Sequence, residues 1–571
     1  MAIKRFVASK DTTITNAFKS DLTLRGTASN MGASDSLEVF SIYGQSITTG
    51  TTSKTTELSR ILIQFPMSDV SSSREDGDMP QSGSVRFFLK MYNAVHPFTL
   101  PKSFTLTISA LTKSWEEGTG LDMEGYRDQT NDQEGANWIN ASAGTPWETQ
   151  GGDYVSSNPD PFEGYHRPRG LSLDLSSSFT ASFTAGTENI EVDITTLAEQ
   201  WINTGGSGDA GDGGNADVLG SKTNYGVIIS LTSSQEGYYS GSNVASMYPG
   251  YHVISGTNYF HHVSGSKRSY YTKKFFARGT EFFFKRPVLE ARWDSSKKDN
   301  RGSFYLSSSL ASGDDNLNTL YMYNYIRGQL KDIPNLTAAT DGKAKLCVRI
   351  YSSASLGKTI DHAKTLPLDE VGGMTADAQT AITASRVEKG IYSATFAYTG
   401  SDPEIYDVWF TSSFPGYNSP GANYVEFHTG SAISVKSFSG SMPNHNLNPT
   451  YVSSISNLQH QYRNDTSARF RLYVRPKDWS PTIYTKASNT IENEKIDAAY
   501  YKVFRISDNL DVINYGTGNM NHTRLSYDLS GNYFDLDMSL LEKDFAYGIK
   551  FVYYINNKHV EQPEVFKFRV E

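Results

Sequence analysis

Residues 60–65 read Arg60-Ile-Leu-Ile-Gln-Phe65, a short apolar run of the length of one buried strand. Runs of similar length recur through the first 295 residues, separated by segments rich in Gly, Ser and Asn: 37–42, 85–92, 104–111, 190–194, 225–231, 281–285 and 288–293. About eight such strands with turn signals between them are typical of a β-sandwich of the jelly-roll type. One helix is expected at 195–203, with Leu197, Trp201 and Ile202 on one face.

The composition of the whole chain favours the same fold class. The 571 residues include 35 Tyr, 30 Phe and 47 Gly. Aromatic residues fit pleated, half-buried strands, and Gly fits the turns between them, so we predict an all-β protein. A chain of this length exceeds a single core, and two to four domains are expected.

Several classes of protein are excluded by what the sequence lacks. The one cysteine, Cys347, rules out a disulfide framework and is expected to be a small core residue. No apolar run reaches the length of about 18 residues that a spanning helix requires, so we expect no membrane partner. The N-terminus lacks the apolar core of a secretory signal. The net charge of -9 argues against a dedicated nucleic-acid binder.

The pattern of runs divides the chain into four parts. Residues 1–295 form the predicted jelly-roll-like domain, and 296–335 are interpreted as a connector. A second group of alternating runs, beginning with Lys345-Leu-Cys-Val-Arg-Ile-Tyr351, predicts a smaller immunoglobulin-like β-sandwich over 336–440. A stretch rich in Pro, Asn and Ser follows, and 441–571 are predicted to form a C-terminal β-sandwich domain.

Six segments of the first domain occur in a recognisable order. They are Asp11-Thr-Thr-Ile14, Ser59-Arg-Ile-Leu-Ile-Gln-Phe65, Leu111-Thr-Lys-Ser-Trp-Glu-Glu-Gly-Thr119, Val192-Asp-Ile-Thr-Thr-Leu-Ala-Glu-Gln-Trp201, Asn224-Tyr-Gly-Val-Ile-Ile229 and Arg286-Pro-Val-Leu-Glu290. Together they resemble the DNRLRE domain, a jelly-roll module similar to carbohydrate-binding modules. The resemblance covers the first half of the chain, with insertions at about 120–185 and 232–272.

A wider pattern resembles virion structural proteins of marine tailed phages. It includes Leu121-Asp-Met-Glu-Gly-Tyr126 and Tyr271-Thr-Lys-Lys-Phe-Phe-Ala-Arg278. The resemblance implies a component of a virion but does not indicate which part of the particle. Of the possible locations, we favour the neck, tail or baseplate over the capsid. Its implied partners are other virion proteins and copies of itself. Capsid decoration is an alternative location.

Two acidic clusters are candidate sites. The Gly-rich loop 208–217 offers Asp209, Asp212 and Asp217 as hard oxygen ligands for calcium, the one cofactor considered, although a plain Gly/Asp turn is the favoured interpretation. A second cluster allows three interpretations, a solvated loop, a calcium site or a carboxylate pair for glycoside hydrolysis: Glu116, Glu117, Asp122, Glu124 and Asp128. Since no element fixes the separation of these carboxylates, we predict that the chain is not an enzyme.

Aromatic and cationic residues alternate near the end of the second insertion, at Tyr270, Tyr271, Lys273, Lys274, Phe275 and Phe276. These residue types are favoured at protein–protein contacts, and we predict an interface there. The alternatives are a hairpin with solvated lysines and a single-stranded nucleic-acid site.

A carbohydrate-binding adhesin is the alternative function. Exposed aromatic platforms for a host surface polysaccharide are offered within the second insertion by Tyr238, Tyr239, Tyr248 and Tyr251. Packing of a Tyr-rich loop on its own domain explains the same residues.

Overall fold

The structure is a computed structural model. It describes residues 2–19, 24–48, 51–80, 83–96, 100–121, 135–155, 178–202, 223–236, 238–239, 252–253, 260–262, 270–334, 336, 345–353, 355, 363–364, 381–412, 425–437, 449–479 and 493–571. Strands dominate the described residues, and the predicted all-β class is confirmed. The chain divides into two compact units, Ala2–Trp293 and Asp294–Glu571.

The first unit contains sixteen described strands. In chain order they are β1 (Ile3–Val7), β2 (Lys10–Thr15), β3 (Ser36–Thr48), β4 (Thr51–Gln64), β5 (Arg86–Met91), β6 (Phe104–Ala110), β7 (Asn140–Ser142), β8 (Thr145–Pro146), β9 (Ser178–Phe183), β10 (Ile190–Asp193), β11 (Val227–Leu231), β12 (Tyr238–Tyr239), β13 (His252–Val253), β14 (Phe260–His262), β15 (Tyr270–Phe276) and β16 (Val288–Arg292). Two sheets carry most of them. One has the order β1-β16-β5-β10, and the other has the order β15-β3-β4-β11-β6-β9 with β2 paired to β4.

The main core lies between these two sheets. Ile61 and Ile63 of β4 belong to the same buried cluster as Phe87 and Leu89 of β5. Leu62 lies on the opposite face of β4, in a second buried cluster that contains Trp115, Trp138 and Trp147. Because the strand is covered on both faces, its sequence is continuously apolar rather than alternating.

Helices pack at the edge of this core. They are α1 (Met67–Glu75), α2 (Thr195–Ile202) and the single turn α3 (Ser233–Glu236). The helix expected at 195–203 is α2, which begins beside Asp193, whose Oδ1 accepts the Thr195 N–H at 3.0 Å. Trp201 is buried in the core, as expected for a structural role.

Helix α1 was not predicted, because its Ser-rich sequence has low helix propensity. Tertiary contacts stabilise it instead. Val70 is buried, and Arg74 forms a bidentate ion pair with Glu199 of α2, with Nη1 to Oε2 at 2.8 Å.

The prediction of a strand at 281–285 is wrong. Residues Phe283–Lys285 form a single 3-10 turn, and Phe282 and Phe283 are exposed. An apolar run alone does not distinguish a strand from a turn whose aromatic side chains pack on neighbouring rings, and Phe282 contacts Phe276 edge to face at 5.4 Å.

Strands β3 and β4 continue past the rest of their sheet. Strand β15 pairs with residues 36–42 of β3, and β2 and β11 pair with residues 59–64 of β4. Residues 43–48 and 51–56 pair only with each other among the described strands, from Tyr43↔Thr56 to Thr48↔Thr51. We call these two segments the ribbon.

The second unit contains the remaining described strands. They are β17 (Phe304–Tyr305), β18 (Leu317–Tyr323), β19 (Tyr325–Ile326), β20 (Gln329–Leu330), β21 (Lys345–Tyr351), β22 (Ala363–Lys364), β23 (Ile382–Thr383), β24 (Ser385–Glu388), β25 (Ile391–Tyr398), β26 (Glu404–Ser412), β27 (Val425–Thr429), β28 (Ile433–Lys436), β29 (Tyr451–Ile455), β30 (Gln461–Tyr462), β31 (Ser467–Pro476), β32 (Ala499–Arg505), β33 (Leu510–Ile513), β34 (Ser526–Asp528), β35 (Gly531–Asp537), β36 (Ala546–Ile555), β37 (Lys558–Glu561) and β38 (Phe566–Val570).

Four sheets dominate this unit. Around residues 304–436 the orders are β17-β28-β26-β21-β23, with β27 on β26, and β18-β25-β22, with β24 on β25. Around 451–570 they are β29-β31-β35-β34 and β30-β38-β36-β32-β33, with β37 on β36. Cys347 is buried on β21, as expected.

The prediction that residues 296–335 form a connector is wrong. Strand β18 pairs with β25 along its whole length, from Leu317↔Ala397 to Tyr323↔Ile391. Phe304, Leu320 and Ile333 are buried in the same core as Trp409. Residues 304–333 are therefore part of the first sandwich of this unit. They were assigned to a connector because β17 is only two residues long and gives no strand signal.

Among the described residues, no helix has the length and apolar character needed to cross a membrane.

Candidate functional site

A cleft of about 200 Å³ lies on one face of the β15-β3-β4 part of the larger sheet. Its lining residues are Ala17, Glu38, Phe40, Ile42, Glu57, His96, Tyr270 and Thr272. We call it the Glu38 cleft. Ligand pockets are usually about 300–1,000 Å³, so this cleft has room for one side chain or one small ring rather than a larger ligand.

The register of three strands builds the cleft. Tyr270 of β15 is opposite Ile42 of β3, and Ile42 is opposite Glu57 of β4. Residues opposite each other in antiparallel strands project from the same face, so these side chains share one rung. Thr272 opposite Phe40 forms the next rung. The ribbon begins one residue beyond Ile42 and Glu57, so the cleft lies at its base.

The carboxylate of Glu38 is held inside the cleft. Thr272 Oγ1 donates to Glu38 Oε1 at 3.0 Å, and His96 Nε2 lies 3.6 Å from the same oxygen. Tyr270 is 47% exposed. Burial and the nearby charge of Glu38 raise the pKa of Tyr270, so its hydroxyl stays protonated at neutral pH.

Glu57 supplies the second carboxylate. Its Oε2 accepts the Phe18 N–H at 2.9 Å, and no ion pair to Glu57 is present among the described side chains. In the segment that contains Phe18, Arg25 is stacked on the Phe18 ring at 4.3 Å and donates from Nη1 to Asn16 O. The cleft thus has two carboxylates, and its described lining includes neither Lys nor Arg.

The six residues predicted to form an interface do not share one environment. Lys273 and Phe275 are completely buried within their own unit, so neither can contact another chain. Lys273 Nζ donates to Asn93 Oδ1, Gly186 O and Glu188 O at 2.7–2.8 Å. The prediction is therefore corrected for these two residues. It failed because the alternation of the strand turns every second side chain inward, charged or not.

Of the other four, Tyr270, Lys274 and Phe276 lie on the opposite face from Lys273 and remain available to a contact, whereas Tyr271 packs against the main core. Tyr270 is exposed, and Tyr271, Lys274 and Phe276 are partly exposed. Tyr270 and Lys274 share the face that carries the Glu38 cleft.

The predicted calcium loop lies outside the described residues, which include none of Asp209, Asp212 and Asp217. The predicted sugar platforms Tyr248 and Tyr251 also lie outside, and only the backbones of Tyr238 and Tyr239 are described. In the second acidic cluster, Asp122, Glu124 and Asp128 are likewise outside.

Glu117 of that cluster joins a small charged group. Arg278 Nε donates to Glu117 Oε1 at 2.6 Å, and the Asp11 N–H donates to the same oxygen at 2.8 Å. Burial, opposed by a hydrogen bond from the Arg278 backbone, raises the pKa of the Asp11 carboxyl to about 7. This group links three distant segments of the chain and holds Glu117 in an ion pair.

Another charged group surrounds Glu290 on the smaller sheet. Arg5 and Arg292 each donate from Nε to Glu290 at 2.6 Å, and Lys90 Nζ lies 3.4 Å away. Burial raises the pKa of Glu290, but the three cations outweigh burial and hold it well below its usual range. Glu191 adds a second carboxylate, 2.7 Å from Arg292 Nη1, and the group links side chains of β1, β5, β10 and β16.

Sequence reasoning missed Glu38, Glu57 and His96. Glu38 and Glu57 are single polar residues of strands that cross-strand register brings to one face, whereas His96 lies in the segment after β5, which runs beside β15 and is held there by Ala94 N–H donating to Lys274 O at 2.9 Å. The aromatic and cationic alternation at 270–276 was the signal that pointed to this face, through Tyr270.

No protein-family model matches the chain, and no curated protein matches its sequence.

Proposed function

We propose that this chain is a structural component of a tailed-phage virion, in the neck, tail or baseplate, and that it acts through contacts with other protein chains. The sequence resemblance of residues 9–294 motivates the proposal. The observation that carries it is the ribbon, because among the described strands each of its two segments pairs with the other and with nothing else.

A two-stranded ribbon is only marginally stable alone in water, and each of its outer edges carries unpaired backbone donors and acceptors. Its sequence has one charged residue, Lys54, and no proline, and it is rich in Thr and Ser. Charged residues and proline are the usual means of protecting a free edge. The ribbon therefore suits strand addition to a neighbouring chain.

The residues that carry the sequence resemblance have structural roles, which fits a protein whose function is assembly. Trp115 Nε1 donates to Tyr225 O, and Asn224 Nδ2 donates to Phe65 O, both at 2.8 Å. Arg60 forms a buried ion pair. These contacts connect distant strands of one unit and bring no pair of reactive groups together.

The test is peptide mass spectrometry of gradient-purified particles from host cells that carry the gene. The proposal predicts that the chain is present in constant proportion to the other particle proteins. Its absence from washed particles would overturn the proposal.

The contribution of the ribbon is tested by replacing residues 45–54 with Asn-Gly, which joins the opposite residues Gly44 and Thr55 by a two-residue hairpin turn. We expect the shortened chain to fold but to be lost from particles. The control is Tyr554→Ala, at an exposed position of the hairpin β36–β37, and it should be incorporated normally.

A further inference from the structure

We propose that the Glu38 cleft receives an arginine side chain from a neighbouring protein chain. The inference rests on the proposed function, since it names the chemistry of one contact through which the chain would assemble. The charges and hydrogen-bonding groups of the cleft support it.

The donors and acceptors of the cleft are unbalanced. Carboxylates only accept hydrogen bonds, and Glu38 and Glu57 together offer four oxygens. Of these, Glu38 Oε1 is used by Thr272 and Glu57 Oε2 by Phe18. The Thr272 hydroxyl is already donated to Glu38. A ligand that complements the cleft therefore carries many hydrogen-bond donors and few hydrogen-bond acceptors.

A guanidinium group has this character. It carries five N–H donors, accepts no hydrogen bond and is always charged. Its planar face also packs favourably over an aromatic ring. Tyr270 provides an exposed ring on the same rung as Glu57, so one guanidinium could stack on the ring and bond to the carboxylate.

A sugar is the competing ligand, and the cleft suits it less well. Each sugar hydroxyl both donates and accepts, so a bound sugar needs donors from the protein as well as carboxylates. Among the described lining side chains, those donors are limited to His96, Thr272 and the hydroxyl of Tyr270. The volume of about 200 Å³ also excludes more than one ring.

The position of the cleft favours a partner chain over a free small molecule. Tyr270, Ile42 and Glu57 form the last rung before the ribbon. A chain that adds a strand to the ribbon would pass the mouth of the cleft, and a side chain from its end could enter it.

The experiment measures binding of N-acetyl-argininamide to the full chain by saturation-transfer NMR. N-acetyl-citrullinamide, which has nearly the same shape and no charge, is the matched probe, and methyl glucoside tests the sugar. We expect saturable arginine binding with a dissociation constant on the order of 1 mM, and at least about tenfold weaker binding of the citrulline probe.

Three variants locate the binding. Glu57→Gln and Glu38→Gln keep an acceptor for their existing hydrogen bonds, so the fold is retained while the charge is lost. Tyr270→Ala is the third variant, and each of the three single variants should weaken arginine binding several-fold. Glu281→Gln and Tyr305→Ala, at exposed positions, are the controls and should bind as wild type does.

Equal binding of the citrulline probe, preference for the glucoside, or no saturable arginine binding would each overturn the inference. The two proposals fail separately. If the chain is present in particles but the cleft variants bind arginine as wild type does, only the inference fails. If arginine binds in the cleft but the chain is absent from particles, the virion role fails.

Discussion

Arg60 and Glu236, 176 residues apart in the chain, form a bidentate ion pair from which solvent is excluded. Arg60 Nε lies 3.0 Å from Glu236 Oε1, and Nη2 lies 2.6 Å from Oε2. The remaining Arg60 nitrogen, Nη1, donates to Gly151 O at 2.8 Å. The pair thus ties strand β4 to the turn α3 and to the loop that covers the second core.

Breaking this pair should be costly. Glu236→Gln leaves the Arg60 charge buried without a counter-charge, and such losses typically cost about 3–5 kcal/mol. Urea denaturation of the full chain, monitored by Trp fluorescence, measures the change in the free energy of unfolding. Glu281→Gln is the exposed control. An equal stability of the two variants would show that solvent reaches Arg60.

Trp201→Ala should destabilise the first unit. Trp201 is 2% exposed and packs in the main core, and truncation of a buried Trp typically costs about 3–5 kcal/mol. Thermal unfolding followed by calorimetry gives the effect, with Phe282→Ala, a half-exposed aromatic of the same unit, as the control. A Trp201→Ala variant with the same melting temperature as wild type would contradict the position assigned to α2.

The same substitution should destabilise the chain at Lys273 and have almost no effect at the adjacent Lys274. Lys273→Met removes three hydrogen bonds and leaves Gly186 O, Glu188 O and Asn93 Oδ1 without that donor, at about 1–3 kcal/mol for each unsatisfied buried group. Lys274→Met, on the outward face, should change stability by less than about 0.5 kcal/mol. Chemical denaturation of both variants checks the contrast. Similar losses in both would mean that β15 does not have this register.

Asp11 should make stability depend on pH in a defined direction. Its pKa is raised to about 7 in the folded chain, from 3.8. Between these values the folded state binds the proton and the unfolded state does not, so the free energy of unfolding falls as pH rises from about 4 to 7.

Asp11→Asn removes that dependence and keeps an acceptor for the Arg278 N–H. We expect the variant to be more stable than wild type above pH 7 and to show a flatter profile below it. Denaturation at a series of pH values tests this, with Asp35→Asn at an exposed position as the control. A variant less stable than wild type at pH 8 would contradict the raised pKa.

The sequence predicts the local features of this fold and not its long-range pairings. The runs at 60–65 and 345–351 form strands, as predicted, because their apolar side chains are stabilised by burial. Trp201 is buried for the same reason. The partner of Arg60 could not be predicted, because nothing in residues 55–65 points to a glutamate in a turn 176 residues later.

The candidate site was predicted only in part. Tyr270 was identified from its neighbours. Glu38 and Glu57 were not, because cross-strand register places them, and His96 was not, because it lies in a non-strand segment that reaches the cleft only through the tertiary fold. Lys273 was misassigned because a lysine on a strand is expected to face water, and three backbone and amide acceptors inside this unit reverse that expectation.

A map of the assembled particle at side-chain resolution would show which chains surround the ribbon and the Glu38 cleft. We predict that this chain is found in the particle, that the ribbon pairs with a strand of a neighbouring chain, and that an arginine of a neighbour lies between Tyr270 and Glu57. A particle without this chain, or one in which both the ribbon and the Glu38 cleft face solvent, would contradict it.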